Sequence, residues 1–261
     1  MRVASMLGPL GRYTRWLHTR WPAGTVEPLP EALEDGSTNV AGLYVTGDLT
    51  GIPLLKFSSD TGARAVRTIL ADPSFQRRSK QPKPGGGRTL DLIIVGAGVS
   101  GMAAALEAKK AGLDFEILEA SEPFSTIVNF PKGKPIYTYP TGMTPAGDLQ
   151  FTERSSVKEG LVDELRDLTA QRGIKPVPAR AERVERRAGL LVVHIAGGGP
   201  LAAHRVIVAI GRSGNFRRLG VTGEDLDKVY NRLHDPNDFA DQEVLVVGGG
   251  DSALETAIVV A

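Results

Sequence analysis

The 261-residue chain has a near-neutral net charge of +1, an ordinary apolar fraction of 41%, and 31 glycines and 17 prolines. So small a net charge gives no global field for nucleic acid, and none is expected as a partner. The absence of cysteine excludes disulfides, thiolate metal sites, cysteine nucleophiles and a redox dithiol within these residues.

Residues 1–37 read as an N-terminal extension. Arg2, Arg12, Arg15 and Arg20 make its start basic, and Pro22, Pro28 and Pro30 argue against a helix. The basic start lacks the apolar core and cleavage site of a secretory signal, so a cytoplasmic protein is expected. Leu43 to Thr46 predicts a short buried strand, ended by Gly47-Asp48. A helix is predicted over Ser58–Leu70, capped by Ser58, Ser59 or Asp60, with Ala63, Val66, Ile69 and Leu70 as its apolar stripe. Asp72-Pro73 stops it. Residues 76–89, polar, basic and rich in Pro and Gly, read as a linker.

A βαβ unit follows. Leu92–Val95 is a continuous apolar strand, Ser100–Ala111 an Ala-rich helix closed by Gly112, and Phe115–Leu118 the next strand. The uncharged stretch from Leu92 to Leu106 is too short to span a membrane, and no transmembrane segment is expected. A helix near Val157–Arg172 carries Leu161, Leu165 and Leu168 on one face. Ala181–Glu185, Leu190–Ile195 and Leu201–His204 predict an antiparallel meander, and Val206–Ile210 a further buried strand. Val244–Val247 predicts the strand of a second βα unit, whose helix is cut at Ala261.

Two glycine-rich turns carry the chemistry. Gly96-Ala97-Gly98-Val99-Ser100-Gly101 leaves a strand and opens a helix. Gly96 permits the tight turn, Gly98 lets a pyrophosphate approach the backbone, and Gly101 lets the helix pack close. The free N–H groups of Val99 and Ser100 at the helix start complete an anion site. Glu119 ends the next strand, where a carboxylate can accept from ribose hydroxyls; Glu116, inside the strand, is the less suitable rival. Gly248-Gly249-Gly250-Asp251-Ser252-Ala253 repeats the turn with Ala253 in the third position, and Gly248, Gly250, Ser252 and Ala253 are candidate contacts to a second dinucleotide. The histidines (His18, His194, His204, His234) show no metal spacing, and no metal site is expected.

These motifs resemble the thioredoxin-reductase-like branch of the pyridine nucleotide-disulfide oxidoreductases, most nearly the bacillithiol-disulfide-reductase-like members. Residues 90–261 carry the likeness through Asp91-Leu-Ile-Ile-Val-Gly-Ala-Gly-Val-Ser-Gly, Glu107-Ala-Lys-Lys-Ala-Gly-Leu-Asp, Tyr139-Pro-Thr-Gly-Met-Thr, Val206-Ile-Val-Ala-Ile-Gly-Arg and Gly248-Gly-Gly-Asp-Ser-Ala-Leu-Glu. The resemblance implies an α/β fold: a Rossmann-like FAD-binding domain (90–213) with a parallel sheet and an antiparallel meander, then the start of a Rossmann-like NAD(P)-binding domain (214–261). It implies FAD at the first turn and NAD(P)H at the second. Gly211 then lies near the flavin nucleotide, Glu255 near the nicotinamide amide, and Tyr137, Tyr139 and Met143 in a segment lining the flavin.

Gly42-Leu-Tyr-Val-Thr-Gly-Asp-Leu-Thr-Gly resembles the family's second FAD motif, which assigns Gly47 and Asp48 to the flavin, Asp48 at its ribitol. In the family this motif ordinarily closes the chain; here it stands in residues 38–75, ahead of the first. Either the domain is circularly permuted or these residues are the tail of a preceding copy. The start at Met1 and the short linker favour permutation.

Two departures matter. The segment before the second turn, where thioredoxin reductases carry Cys-x-x-Cys, has no cysteine, and Ser100 stands where bacillithiol-disulfide reductases have one. The expectation is an FAD-dependent NAD(P)H oxidoreductase passing electrons to a ferredoxin, a quinone, a small molecule or a fused domain without a protein dithiol. A homodimer is compatible with this reading. Because the second unit is cut at Ala261, these residues alone are expected to bind FAD but oxidise NAD(P)H poorly. A non-catalytic flavin- or nucleotide-binding regulatory module is the alternative.

Overall fold

The computed structural model describes residues 29–79, 88–151, 157–212 and 218–261. The basic start, His18, most of the expected extension, residues 80–87 of the expected linker and the boundary expected at 213–214 lie outside them. The chain divides into two units, Met1–Pro30 and Glu31–Ala261, and every element below belongs to the second.

The strands are β1 (Leu43–Val45), β2 (Thr89–Val95), β3 (Phe115–Glu119), β4 (Val177–Pro178), β5 (Ala181–Arg187), β6 (Leu190–Ile195) and β7 (Leu201–Val208). The helices are α1 (Leu55–Ala71), α2 (Pro73–Ser79), α3 (Val99–Lys110), α4 (Ser125–Val128), α5 (Lys158–Gln171) and α6 (Asp251–Val260). Short 3-10 turns occupy Gly47–Thr50 and Pro236–Phe239.

One sheet runs β4-β3-β2-β7-β6-β5, with β1 also on β7. The expected meander strand Leu201–His204 and the expected buried strand Val206–Ile210 are a single strand, β7, which ends at Val208. Its first half pairs antiparallel with β6 (Leu191↔Ala203) and its second half parallel with β1 (Leu43↔Val206). The meander and the parallel core thus share one strand, and β1 and β6 take successive stretches of the same edge. β2 lies parallel along the other edge.

Alternation of side chains builds two cores. Leu92 and Ile94 of β2 and Ile207 of β7 join Val66 and Ile69 of α1 and Met102 of α3 in the larger one. Ile93, Val95 and Val206 face Leu191 and Val193 of the meander in the smaller. This is a Rossmann-like α/β fold with an antiparallel meander.

Three local readings are corrected. Helix α1 starts at Leu55, not Ser58, and no side chain caps it. Ser58, Ser59 and Asp60 lie inside the helix and are buried. Their oxygens serve tertiary partners rather than the helix's own end. The expected linker 76–89 is shorter than drawn, because α2 runs to Ser79 and β2 starts at Thr89. Val244–Val247 is not a strand: a strand needs a ladder, and no described residue pairs with it. Leu245 is 87% exposed.

Arg205 of β7, 5% exposed, fastens the end of α1 to the sheet. Its guanidinium pairs with the Asp72 carboxylate, donates to the Ser74 hydroxyl at 2.8 Å and lies over the Phe75 ring. Burial pushes the Asp72 carboxyl up, but Arg205, the Ser74 hydroxyl and the Ser74 N–H together hold it down to about 2. Arg205 is buried, but the Asp72 side chain is 30% exposed and keeps its bonds to the Ser74 N–H and hydroxyl. Arg205→Met is therefore expected to lower unfolding stability by about 1.5–3 kcal/mol, the worth of a hydrogen bond to a charged group, in a denaturant titration. A depressed carboxylate contributes stability that is complete above its unfolded pKa, the ordinary value of 3.8, and lost as pH falls through about 2. Asp72→Asn should remove that part of the acid dependence; an unchanged acid limb would contradict the assignment.

Candidate functional site at the strand ends

Register sets the site. Val45, Val95 and Leu118 end in line with Val208 across β1, β7, β2 and β3. The residues at or just past each strand end therefore emerge side by side: Thr46-Gly47-Asp48, Gly96, Glu119 and Ala209. Ligands of open α/β sheets bind at such carboxyl ends.

The first glycine-rich turn has the geometry its sequence requires. Gly96 has φ +102°, and a Cβ there would meet the Ala209 carbonyl oxygen at 2.5 Å. A Cβ on Gly101 would stand 1.8 Å from the Gly96 oxygen. A Cβ on Gly98 would meet nothing within 4 Å, so space lies open beside that backbone. No side chain caps α3. Glu119 reaches the turn, accepting from the Ala97 N–H at 2.7 Å and the Ser121 N–H at 2.9 Å. The rival Glu116 is held in an ion pair by Arg88, which also holds Asp114.

The front segment docks against this turn. The Ser100 hydroxyl, in a residue 5% exposed, donates to the Thr46 hydroxyl at 2.8 Å. Ser100 had been expected among the cofactor contacts, but its side chain is turned toward β1's end and only its backbone remains for a phosphate. A Cβ on Gly47 (φ +71°) would stand 3.0 Å from the Ser100 Cβ, and one on Gly62 of α1 2.1 Å from the Ser100 oxygen. Asp48 accepts from the Ser58 hydroxyl at 2.9 Å through Oδ1, and the Gly47 N–H donates to Thr61 at 3.0 Å. The sequence motifs thus bring Gly47, Asp48, Gly96, Gly98, Val99, Gly101 and Glu119 together. Gly211 (φ +63°) follows Ala209, whose N–H donates to the Val95 oxygen.

Sequence reasoning missed Thr46, Ser58 and Gly62, and it missed the polar face of α1. There the Lys56 ammonium donates to the carbonyls of Pro140 at 2.9 Å and Thr141 at 3.3 Å. The Ser59 hydroxyl donates to the Leu149 carbonyl, and Asp60 accepts from the Ala146 N–H. Tyr137 and Tyr139, whose ring centroids are 6.1 Å apart, stand exposed in the segment α1 holds.

The second turn stands apart. Gly248, with φ +147°, would place a Cβ 3.0 Å from that of Ala253, while Gly249 and Gly250 are open. Gly250 is the N-cap of α6, which has no buried residue. Asp251, Ser252 and Ala253 form its first turn. Glu255 pairs with Lys134, which lies 4.8 Å from the Phe130 ring centre. Among the described residues, no group of three or more His, Cys, Asp or Glu could hold a metal, and no helix is long and apolar enough to cross a membrane.

The geometry defines a dinucleotide-binding α/β domain followed by a second glycine-rich turn that opens α6. Residues 93–261 match the pyridine nucleotide-disulphide oxidoreductase family, and the chain belongs to it. The cofactors of that family are FAD and NAD(P)H. The chain is 30% identical over 172 residues to a ferredoxin--NADP reductase of Ignicoccus hospitalis, covering 66% of this chain and 52% of that protein. It is 30% identical over 174 residues to a thioredoxin reductase of Listeria monocytogenes, covering 63% and 48%. The fold matches the bacillithiol disulfide reductase of Staphylococcus aureus with a TM-score of 0.59 at 23% identity, over 67% of this chain and 54% of that one. The chain spans about half the length of the curated relatives it matches.

The open space at Gly98 and the overlap at Gly62 separate binding from folding. Gly98→Ala should leave the thermal midpoint unchanged, because its Cβ meets no protein atom and φ is −75°. It should weaken FAD binding at least tenfold, about 1.4 kcal/mol, read by flavin fluorescence titration. Gly62→Ala should instead destabilise the fold by about 1–3 kcal/mol through overpacking. The assignment fails if the two variants exchange these behaviours.

Proposed function

We propose that the chain is the flavin-binding part of an FAD-dependent NAD(P)H oxidoreductase, passing electrons from a nicotinamide through flavin to an acceptor without a protein dithiol. The observation that carries this reading is the meeting of the Asp48 and Gly96 segments at one row of strand ends, locked by the Ser100–Thr46 bond. On this reading residues 38–75 and 90–213 build one flavin domain, in the permuted order.

The residues present fit FAD. The backbone at Gly98 and the N–H groups of Val99, Ser100 and Gly101 hold the pyrophosphate at the start of α3. Glu119 accepts from ribose hydroxyls beside them. Asp48, oriented through Oδ1 by Ser58, keeps Oδ2 for the ribitol. A hydrogen bond to a charged group contributes about 1.5–3 kcal/mol. Gly211 lies at the nucleotide. When bound, FAD supplies the hydride chemistry. Gly248, Gly250, Ser252 and Ala253 receive the NAD(P)H phosphates at the start of α6. Glu255 meets the nicotinamide amide only when its pair with Lys134 opens.

Two observations support an acceptor that needs no protein thiol. These residues contain no cysteine, and Ser100 is buried against Thr46. An acceptor needing no protein thiol suits this arrangement, and ferredoxin, named for several relatives, is the first to test.

Purified chain reconstituted with FAD and desalted should keep a bound-flavin absorption spectrum. Asp48→Ala should lose most of it, with an affinity loss of about 1.5–3 kcal/mol for the removed charge-assisted bond. A colourless wild type sinks the flavoprotein reading. Equal binding by both proteins separates the front segment from the flavin.

A further inference from the structure

Lys56 lies in the first turn of α1 and is 7% exposed. Burying an ammonium is costly unless it is compensated. Its two partners are the uncharged carbonyls of Pro140 and Thr141. Among the described residues, no carboxylate pairs with it. Asp60, one turn further along α1, is taken by Arg64 at 2.7 Å and by the Ala146 N–H at 2.8 Å. Asp48 accepts from Ser58. A lysine ammonium has three protons to donate, and two are accounted for. Lys56 therefore brings an unneutralised positive charge and one spare donor to the end of α1 where the helix dipole is also positive and no side chain caps the backbone.

We propose that Lys56 is the cation that balances the charge acquired by the flavin ring on two-electron reduction. The inference rests on the flavin-binding reading above. Hydride transfer from NAD(P)H gives the ring two electrons and one proton and releases NAD(P)+, so the ring gains one negative charge. A fixed cation in a site of low dielectric stabilises that charge more than it would in water. Lys56 discriminates between the oxidised and reduced cofactor, while Asp48, Glu119 and the Gly98 turn bind both alike. The carbonyls of Pro140 and Thr141 solvate the ammonium and, in return, are held by it, so the segment bearing Tyr137 and Tyr139 is fixed by the same side chain.

The test is the midpoint potential of FAD bound to the 261-residue chain, measured by reductive titration against a reference dye, with the affinity for oxidised FAD taken in parallel. Lys56→Met and Lys56→Gln are expected to shift the equilibrium between oxidised and reduced flavin at least tenfold toward oxidised, about 30 mV for a two-electron couple. Oxidised FAD should bind within threefold of wild type. Lys56→Arg, which keeps the charge, should restore most of the potential. Neutral variants that bind FAD at the wild-type potential overturn the inference and leave the flavin reading standing. Should both neutral variants fail to hold FAD, the wild type decides: a bound potential at or below that of free FAD overturns the proposal, and one above it supports it. A wild type that binds no FAD overturns the flavin reading, and this inference falls with it.

Discussion

The approach of α1 to α3 at Gly62 and Ser100 leaves no room for a single methyl group, and the site depends on it. Those helices pack on each other more extensively than any other helix pair. Their closeness lets the Ser100 hydroxyl reach Thr46 and brings Gly47 against the same serine. It also explains why Ser100 is serine-sized. A larger side chain would push α1 off, and α1 carries Ser58, which orients Asp48. A steric constraint between two helices thus fixes the placement of a carboxylate on neither of them.

The glycine-rich turns were legible in the sequence because their geometry is written in residues with no substitute. Gly96 needs a positive φ and a bare Cα beneath the Ala209 carbonyl, and Gly101 must let α3 touch the turn. The parallel strands were equally clear from runs such as Leu-Ile-Ile-Val. Boundaries failed where a side chain had two uses. Ser58, Ser59 and Asp60 look like caps, since their oxygens suit free N–H groups, yet all three are drawn to tertiary partners inside the helix. Nothing local in the sequence reveals that Lys56 lies under the Pro140 loop and Arg205 between a strand and Phe75. The break assumed between Leu201–His204 and Val206–Ile210 fell at Arg205, whose charge interrupts an apolar run but whose backbone continues the strand.

The N-terminal half of α1 is polar where a packed helix is expected to be apolar. Lys56, Ser58, Ser59 and Asp60 form a buried row whose partners are backbone groups of the 140–149 segment and Asp48. That segment has little regular structure of its own, so it depends on α1 for hydrogen bonds that a ladder would otherwise supply. The C-terminal half, with Ala65, Val66 and Ile69, is apolar and sits in the core. One helix therefore anchors at one end and organises a site at the other, with Gly62 between the two.

The pairing of β1 with β7 has a kinetic side. Among the sheet's neighbours, these two are the most distant in the chain, and β7 is synthesised long after β1 and α1. As the chain emerges from the ribosome, the front segment must wait, its buried faces uncovered, until β2, α3 and β7 exist to receive it. Long-range parallel pairing of this kind is slow because loop closure precedes any reward in contacts. Folding intermediates here should expose the free edge of β7 and the apolar side of α1 together. These are the surfaces at which a nascent chain meets chaperones or misassembles with a second copy.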